Sequence, residues 1–143
     1  MIHACRTFES CRLSAPAEKV WALIRPMSFS WWKLVDKVES TNGTPDQVGS
    51  LHALKYKDGQ SISINIRELS DIEHFVTWEV VSSDEALPVS STIHTIRVRR
   101  ITASNETFVE WSTDFSSDAS AEVIQDSKFK KLEAFKDMEA AMK

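Results

Sequence analysis

The C-terminal segment, residues 119–143, carries the one long helical pattern in this sequence, and it constrains the fold more than any other feature. At about 100° per residue, six apolar side chains fall on one stripe of such a helix. They are Ala121, Ile124, Leu132, Phe135, Met138 and Met142. An apolar stripe of this kind must be buried against another element. The preceding residues read mostly as strands, so we predict that the helix packs against a sheet.

Two lysines, Lys128 and Lys131, fall inside the same stripe. A plain core-facing helix avoids such residues, because lysine is almost never fully buried without a partner. One interpretation places the lysines beside a partly wet cavity, where an ammonium group pairs with an acidic ligand. The other rotates or kinks the helix, so that the lysine stems cover apolar surface and the charged groups reach solvent. The second interpretation is favoured.

Alternating polarity predicts seven strands before this helix. In the clearest of them Ile62, Ile64 and Ile66 alternate with polar residues. Short connections between the last six strands predict antiparallel neighbours, and Asp58-Gly59 is typical of a tight hairpin turn. The predicted strands cover residues 5–13, 33–41, 51–56, 61–67, 75–81, 92–101 and 107–115.

The connection between the first two strands is predicted to be helical. Pro16 suits the first helical position, Glu18 the first turn, and Pro26 ends the helix. A second short helix or turn is predicted for residues 27–32. At the other end of the chain, Asp118 or Ser120 can cap the long helix.

Length and charge indicate one folded domain over residues 1–143. The chain has 143 residues, 42% of them hydrophobic, and a formal net charge of −4. That charge gives no reason to expect a nucleic-acid partner, which would need a concentrated positive surface. No apolar run approaches the roughly 20 residues of a membrane span, and residues 1–14 lack a signal-peptide core, so we expect a cytoplasmic protein without stable membrane insertion.

The two cysteines, Cys5 and Cys11, are six residues apart on one predicted strand. That spacing is roughly 20 Å in an extended chain, too far for a disulfide. Neither cysteine has a histidine or cysteine partner at metal-ligand spacing. We therefore interpret both as free thiols, and we predict neither a metal site nor a cofactor.

Four segments carry a resemblance to a known superfamily. They are residues 15–21 at the start of the first helix, Trp32 before the second strand, residues 48–50 at the third strand, and the paired-strand run 68–80. In this order they resemble the START-like superfamily, which includes birch pollen allergen relatives, and its polyketide cyclase/dehydrase-like branch. The resemblance implies an α+β helix-grip fold: a curved seven-stranded antiparallel sheet wrapped around a long C-terminal helix, with two short helices between strands 1 and 2.

The chain departs from one branch of that superfamily, the plant abscisic acid receptors. Their gate loop contains proline, whereas residues 57–60 here form a Lys-Asp-Gly-Gln hairpin. Their latch has a His-Arg-Leu motif, whereas residues 85–87 here are Glu-Ala-Leu. A receptor for that hormone is therefore not expected. Lys37 resembles the receptor lysine that meets a ligand carboxylate.

The resemblance implies binding or transport of a small hydrophobic molecule, such as a lipid, a sterol, an aromatic or a polyketide-like compound. The predicted cavity lies between the sheet and the C-terminal helix. His94 shares a strand face with Ile96 and Val98 and is either a ligand contact or, as we favour, a core histidine with satisfied hydrogen bonds. The candidate ligand-binding residues are Lys37, His94, Trp78, Trp111, Phe115, Lys128, Lys131 and Phe135.

Two other functions remain open. An enzyme of the cyclase, dehydratase or isomerase kind would use acid/base chemistry in the same cavity, with His94 acting beside Glu68 or Lys37. A protein-interaction module would use an outer sheet face to bind a protein partner. No residue is assigned as catalytic, because strand spacing alone does not bring acid and base groups together.

Overall fold

The computed structural model describes residues 5–143 and contains one seven-stranded antiparallel sheet. The strands lie in the order β1-β7-β6-β5-β4-β3-β2, so β2 to β7 form a meander and β1 adds to it beside β7. The elements are β1 Arg6–Leu13, α1 Ala17–Ile24, β2 Val35–Asn42, β3 Leu51–Tyr56, β4 Ser61–Ser70, β5 Phe75–Ser83, β6 Thr92–Ile101, β7 Glu106–Phe115 and α2 Ala121–Ala141. The helix-grip fold class is confirmed.

The inner sheet face follows the alternation in the sequence. Ile62, Ile64 and Ile66 of β4 are all buried, and Ser63 and Asn65 between them are partly exposed. Residues on one strand face the same side at every second position, so these three isoleucines present one continuous apolar surface. On β7, Val109, Trp111 and Thr113 do the same.

The connection between β1 and β2 contains one regular helix, α1, rather than two. Residues 25–34 form turns, and Met27 and Phe29 have left-handed backbone conformations with φ of 55° and 50°. A helix cannot continue through such residues. The turns carry Phe29, Trp31 and Trp32 into the core, where all three are buried. Packing of these aromatic rings therefore replaces the second short helix, while the turn alternative predicted for residues 27–32 agrees with the structure.

Helix α2 begins where its capping residue predicts. The Ser120 hydroxyl accepts a hydrogen bond from the Val123 backbone N–H at 3.2 Å, which satisfies one of the unpaired amide groups of the first turn. The buried side chains lie only in the second half of the helix: Lys131, Ala134, Phe135 and Met138. Ala121 is exposed and Ile124 is partly buried, so the first half of the predicted stripe covers less of the sheet. Neither helix in residues 5–143 is long and apolar enough to cross a membrane.

An aromatic cluster fills the space between the middle of α2 and the sheet. Its members are Phe29, Trp31, Trp32, Trp78, Trp111 and Phe135, and the ring centroids of contacting pairs lie 5.4–6.3 Å apart. Trp31 and Trp32 are stacked and the other pairs are tilted or edge-to-face, all arrangements in which aromatic rings attract each other. Because this cluster occupies the centre, open space is left toward one end of α2.

Candidate functional site

Two adjoining cavities open at the N-terminal half of α2. The inner cavity, about 190 Å³, lies between α2 and the inner face of β6 and β7. The outer cleft, about 580 Å³, extends from it over β3, β4 and the 85–88 loop. The two share a wall formed by Trp32, Tyr56, Leu87, Pro88, Thr92 and Lys130. The two cavities therefore adjoin along these side chains.

Lys131 is a buried cation in the wall of the inner cavity. Only 2% of the residue is exposed. Its Nζ donates hydrogen bonds to Thr113 Oγ1 at 2.5 Å and Ser127 Oγ at 2.7 Å, and it lies 5.3 Å from the ring centroid of Trp111. No carboxylate among residues 5–143 forms an ion pair with it. Burial lowers the pKa of Lys131 from 10.5 to about 7, since the charged form loses its hydration.

The Thr113 hydroxyl connects Lys131 to His94. Thr113 Oγ1 lies 2.8 Å from His94 Nδ1, and the imidazole stacks on Trp78 with the ring centroids 5.2 Å apart. A hydroxyl has one proton and two acceptor lone pairs, so Thr113 Oγ1 accepts from the Lys131 ammonium and pairs with His94 Nδ1 in either ring tautomer. Burial, together with the Lys131 charge, lowers the pKa of His94 to about 3, so the ring is neutral at pH 7.

Two indole nitrogens at the site lack acceptors. Trp32 Nε1 and Trp111 Nε1 are both buried and have no hydrogen-bond partner among residues 5–143. Both rings line the inner cavity, and Trp32 also lines the outer cleft. An unsatisfied buried donor costs about 1–3 kcal/mol, so each is a feature that needs an explanation.

The structure brings four of the predicted ligand-binding residues together. His94, Trp111, Phe115 and Lys131 all line the inner cavity. Two others lie behind its wall, in the aromatic cluster: Trp78 stacks against His94, and Phe135 packs edge-on against Trp111.

The two helix lysines have different environments. Lys131 is buried, contrary to the favoured interpretation, whereas the Lys128 side chain is 46% exposed and its Nζ lies 4.0 Å from Glu9 Oε1, in agreement with it. Lys128 does not line either cavity.

Lys37 and Glu68 lie away from both cavities. The Lys37 ammonium is exposed and pairs with Glu39 at 2.9 Å, and this hydrogen bond raises the pKa of Lys37. Glu68 borders a groove on the opposite face of the sheet, together with Thr95 and Arg97. Neither side chain meets His94, so the acid/base pairs hypothesised from the sequence are not assembled.

His52 is a core histidine with satisfied hydrogen bonds. Its Nδ1 lies 3.0 Å from Ser40 Oγ and its Nε2 lies 2.8 Å from Ser50 Oγ. The residue is fully buried and lines neither cavity, and burial lowers its pKa.

Sequence reasoning missed the hydroxyls that hold Lys131. Thr113 lies midway between Trp111 and Phe115 on the same strand face, and a polar residue at such a position is a signal for a buried polar contact. Ser127 lies four residues before Lys131, so both project from the same side of α2. Leu87, Pro88 and Val89 also line the inner cavity and were not among the predicted ligand-binding residues.

Comparison with known proteins identifies related sequences and folds. A family model described as "Polyketide cyclase / dehydrase and lipid transport" matches residues 5–142. No curated protein matches the chain. A structure of a Nitrosospira multiformis protein is 23% identical and has a TM-score of 0.85, with 96% of each chain covered. XoxI from Bacillus cereus is 25% identical with a TM-score of 0.82, covering 96% of this chain and 94% of that one.

A plant protein shares the fold at lower identity. Ginseng major latex-like protein 151 from Panax ginseng is 16% identical and has a TM-score of 0.75, covering 96% of this chain and 97% of its own. At this identity the likeness concerns the fold alone, because this architecture can present different sites.

Proposed function

Because this chain belongs to the polyketide cyclase/dehydrase and lipid transport family, we propose that it binds a small hydrophobic molecule in the inner cavity and the outer cleft. The observation that carries the proposal is the pair of adjoining cavities beside α2, about 190 and 580 Å³. Their dimensions are those of a small-molecule site, with a mostly apolar lining and a few polar groups that orient the ligand.

The lining favours a flat or slender ligand body. Trp32, Tyr56 and Trp111 contribute aromatic surface, and Leu87 and Pro88 add apolar surface. Aromatic rings gain contact energy against planar ligands at little cost in conformational entropy. The aromatic cluster occupies the centre of the fold, so the ligand lies at one end of α2 rather than along its whole length.

A larger side chain in the shared wall of the two cavities is expected to fill the space beside it and block ligand binding. Thr92 lies on the inner face of β6, and Thr92→Trp places an indole in the shared space. Isothermal calorimetry with 2-naphthoate, 2-naphthylmethanol, decanoate and 1-decanol measures the effect. We expect at least one probe to bind the wild-type protein and Thr92→Trp to weaken the tightest one by about tenfold or more, equivalent to about 1.4 kcal/mol.

Ile93→Trp is the matched control, since Ile93 is the next residue of β6 and lines the groove on the opposite sheet face. It is expected to leave probe affinity unchanged. If no probe binds the wild-type protein, or if both variants bind as tightly as it does, the proposed function is wrong.

Lys131 favours a second candidate function, acid/base catalysis in the same cavity. A group with a pKa of about 7 is matched to proton transfer at neutral pH, and Thr113 links it to His94. Lys131 rather than Glu68 or Lys37 would then exchange the proton with the ligand. The chemistry fits removal of a proton next to a ligand carbonyl, as in a cyclase, dehydratase or isomerase.

Exchange of the methyl protons of 2-acetylnaphthalene in heavy water, followed by NMR, tests this candidate. General acid/base groups contribute about 10²–10⁴-fold to a rate, so Lys131→Met is expected to slow protein-catalysed exchange by at least that lower factor. Lys128→Met, on the exposed side of the same helix, should retain the wild-type rate. Equal rates in wild type and Lys131→Met would exclude Lys131 as the proton-transfer group.

A further inference from the structure

The wall of the inner cavity contains a cation without a counter-charge and two tryptophans without hydrogen-bond acceptors. The Lys131 ammonium binds only the hydroxyls of Thr113 and Ser127, and the buried indole N–H groups of Trp32 and Trp111 have no partner among residues 5–143. We infer that the ligand carries a single carboxylate, which binds between α2 and the inner sheet face against these donors. This inference rests on the proposed function and specifies the polar end of its ligand.

Lys131 is a buried cation without an ion-pair partner among residues 5–143. Among the aspartate, glutamate, lysine and arginine residues in 5–143, it is the only one that is buried. A buried charge is normally paired with an opposite charge, and removing both from water is costly unless the pairing is good. Glu9, on β1, attracts the Lys131 ammonium but pairs with Lys128 instead. The missing counter-charge is what a ligand anion would supply.

The other charged residues that line the inner cavity favour an anion with a single charge. Asp126 is the one carboxylate among residues 5–143 that lines the inner cavity, and it is exposed and paired with Lys130 at 2.8 Å. Because Asp126 and Lys130 balance each other, Lys131 leaves one positive charge. A singly charged carboxylate matches it, whereas a doubly charged phosphate would leave one negative charge uncompensated.

The neutral hydrogen-bond donors, Trp32 and Trp111, favour a carboxylate as the anion. Trp32 and Trp111 pack edge to face with centroids 5.4 Å apart, and Lys131 Nζ lies over the Trp111 ring. An ionised carboxylate only accepts hydrogen bonds, through two oxygens and about four lone-pair positions, and therefore suits a wall of donors. His94 lies on the same sheet face and lines the same cavity. The apolar body of the ligand then extends into the outer cleft.

Pairs of probes that differ only in the polar end test the inference. Calorimetry at about pH 6, where Lys131 is protonated and carboxylic acids are ionised, compares 2-naphthoate with 2-naphthylmethanol and decanoate with 1-decanol. For at least one pair the acid is expected to bind about 10- to 100-fold more tightly than the alcohol, the ratio typical of a hydrogen bond to a charged group. Lys131→Met and Lys131→Gln should both still bind the alcohol, but should bind the acid no more tightly than the alcohol.

Lys128→Met controls for the loss of one positive charge from α2 and should keep the ratio, because Lys128 lines neither cavity. Circular dichroism confirms that each variant is folded. Equal binding of acid and alcohol by the wild-type protein would overturn the inference and leave the proposed function intact. An acid preference that survives in Lys131→Gln would have the same consequence. If no acid or alcohol binds, the proposed function and the inference both fail.

Discussion

Lys131→Met is expected to raise the free energy of unfolding by about 1–4 kcal/mol near pH 6, the range seen when buried ionic groups are replaced by apolar ones of similar volume. Methionine has nearly the length of lysine and no charge to desolvate. The change removes two hydrogen bonds, but Thr113 keeps His94 as a partner and Ser127 keeps Thr7 at 3.4 Å. Urea unfolding of the two proteins measures the difference.

The increase in the free energy of unfolding of Lys131→Met is expected to depend on pH. Because burial lowers the Lys131 pKa to about 7, the unfolded chain holds a proton that the folded protein has lost between about pH 7 and 10.5. In that window wild-type stability rises with pH by at most about 1.4 kcal/mol per unit. The variant lacks this rise, so its advantage is largest below pH 7 and shrinks toward pH 10. An advantage that stays constant from about pH 6 to pH 9.5 would contradict the assignment of a depressed pKa to Lys131.

Phe135→Ala is expected to lower the free energy of unfolding by about 3–5 kcal/mol, as is usual for a buried phenylalanine. Phe135 is 5% exposed and packs edge-on against Trp111 with centroids 6.3 Å apart. Removing its ring leaves a cavity between α2 and the sheet that the neighbouring tryptophans are too rigid to fill. Chemical unfolding monitored by circular dichroism measures the loss.

Phe129→Ala provides the matched control on the same helix. Phe129 is 58% exposed, so its removal should change stability by no more than about 0.5 kcal/mol. Similar losses in the two variants would mean that α2 does not present its Phe135 side to the sheet. A large loss in Phe135→Ala alone would agree with the position of Phe135 behind the wall of the inner cavity, where its ring packs against Trp111.

Local patterns were sufficient to predict most of the fold. Strands β3 and β6 begin and end where the sequence predicted, and Ser120 caps α2 as one of two expected residues. These features depend on neighbours within a few residues: side chains alternate along a strand, and a serine can cap only the turn that follows it. The turns at residues 25–34 were harder to predict, because their aromatic rings are buried against residues far along the chain: Phe29 packs on Trp78, and Trp31 on Trp111.

The candidate site was predictable only in part. The candidates His94, Trp111 and Phe115 all line the inner cavity, because a period of two residues decides which side of a strand each one occupies. Lys37 was chosen by resemblance over a short run of sequence, and the structure pairs it with Glu39. The unpartnered indoles of Trp32 and Trp111 could not be foreseen, because a missing partner is a property of the whole packed interior.

The sequence by itself determined that seven strands precede one long helix and which side of each strand is apolar, because those properties repeat along the chain with the period of its own backbone. Only the tertiary structure decided which lysine is buried. Lys128 and Lys131 are three positions apart and differ by about 60° around a helix, so a small rotation of α2 exchanges their environments. That rotation is set by how Phe135 and Met138 pack against the aromatic cluster, and the same packing determines where space remains for a ligand.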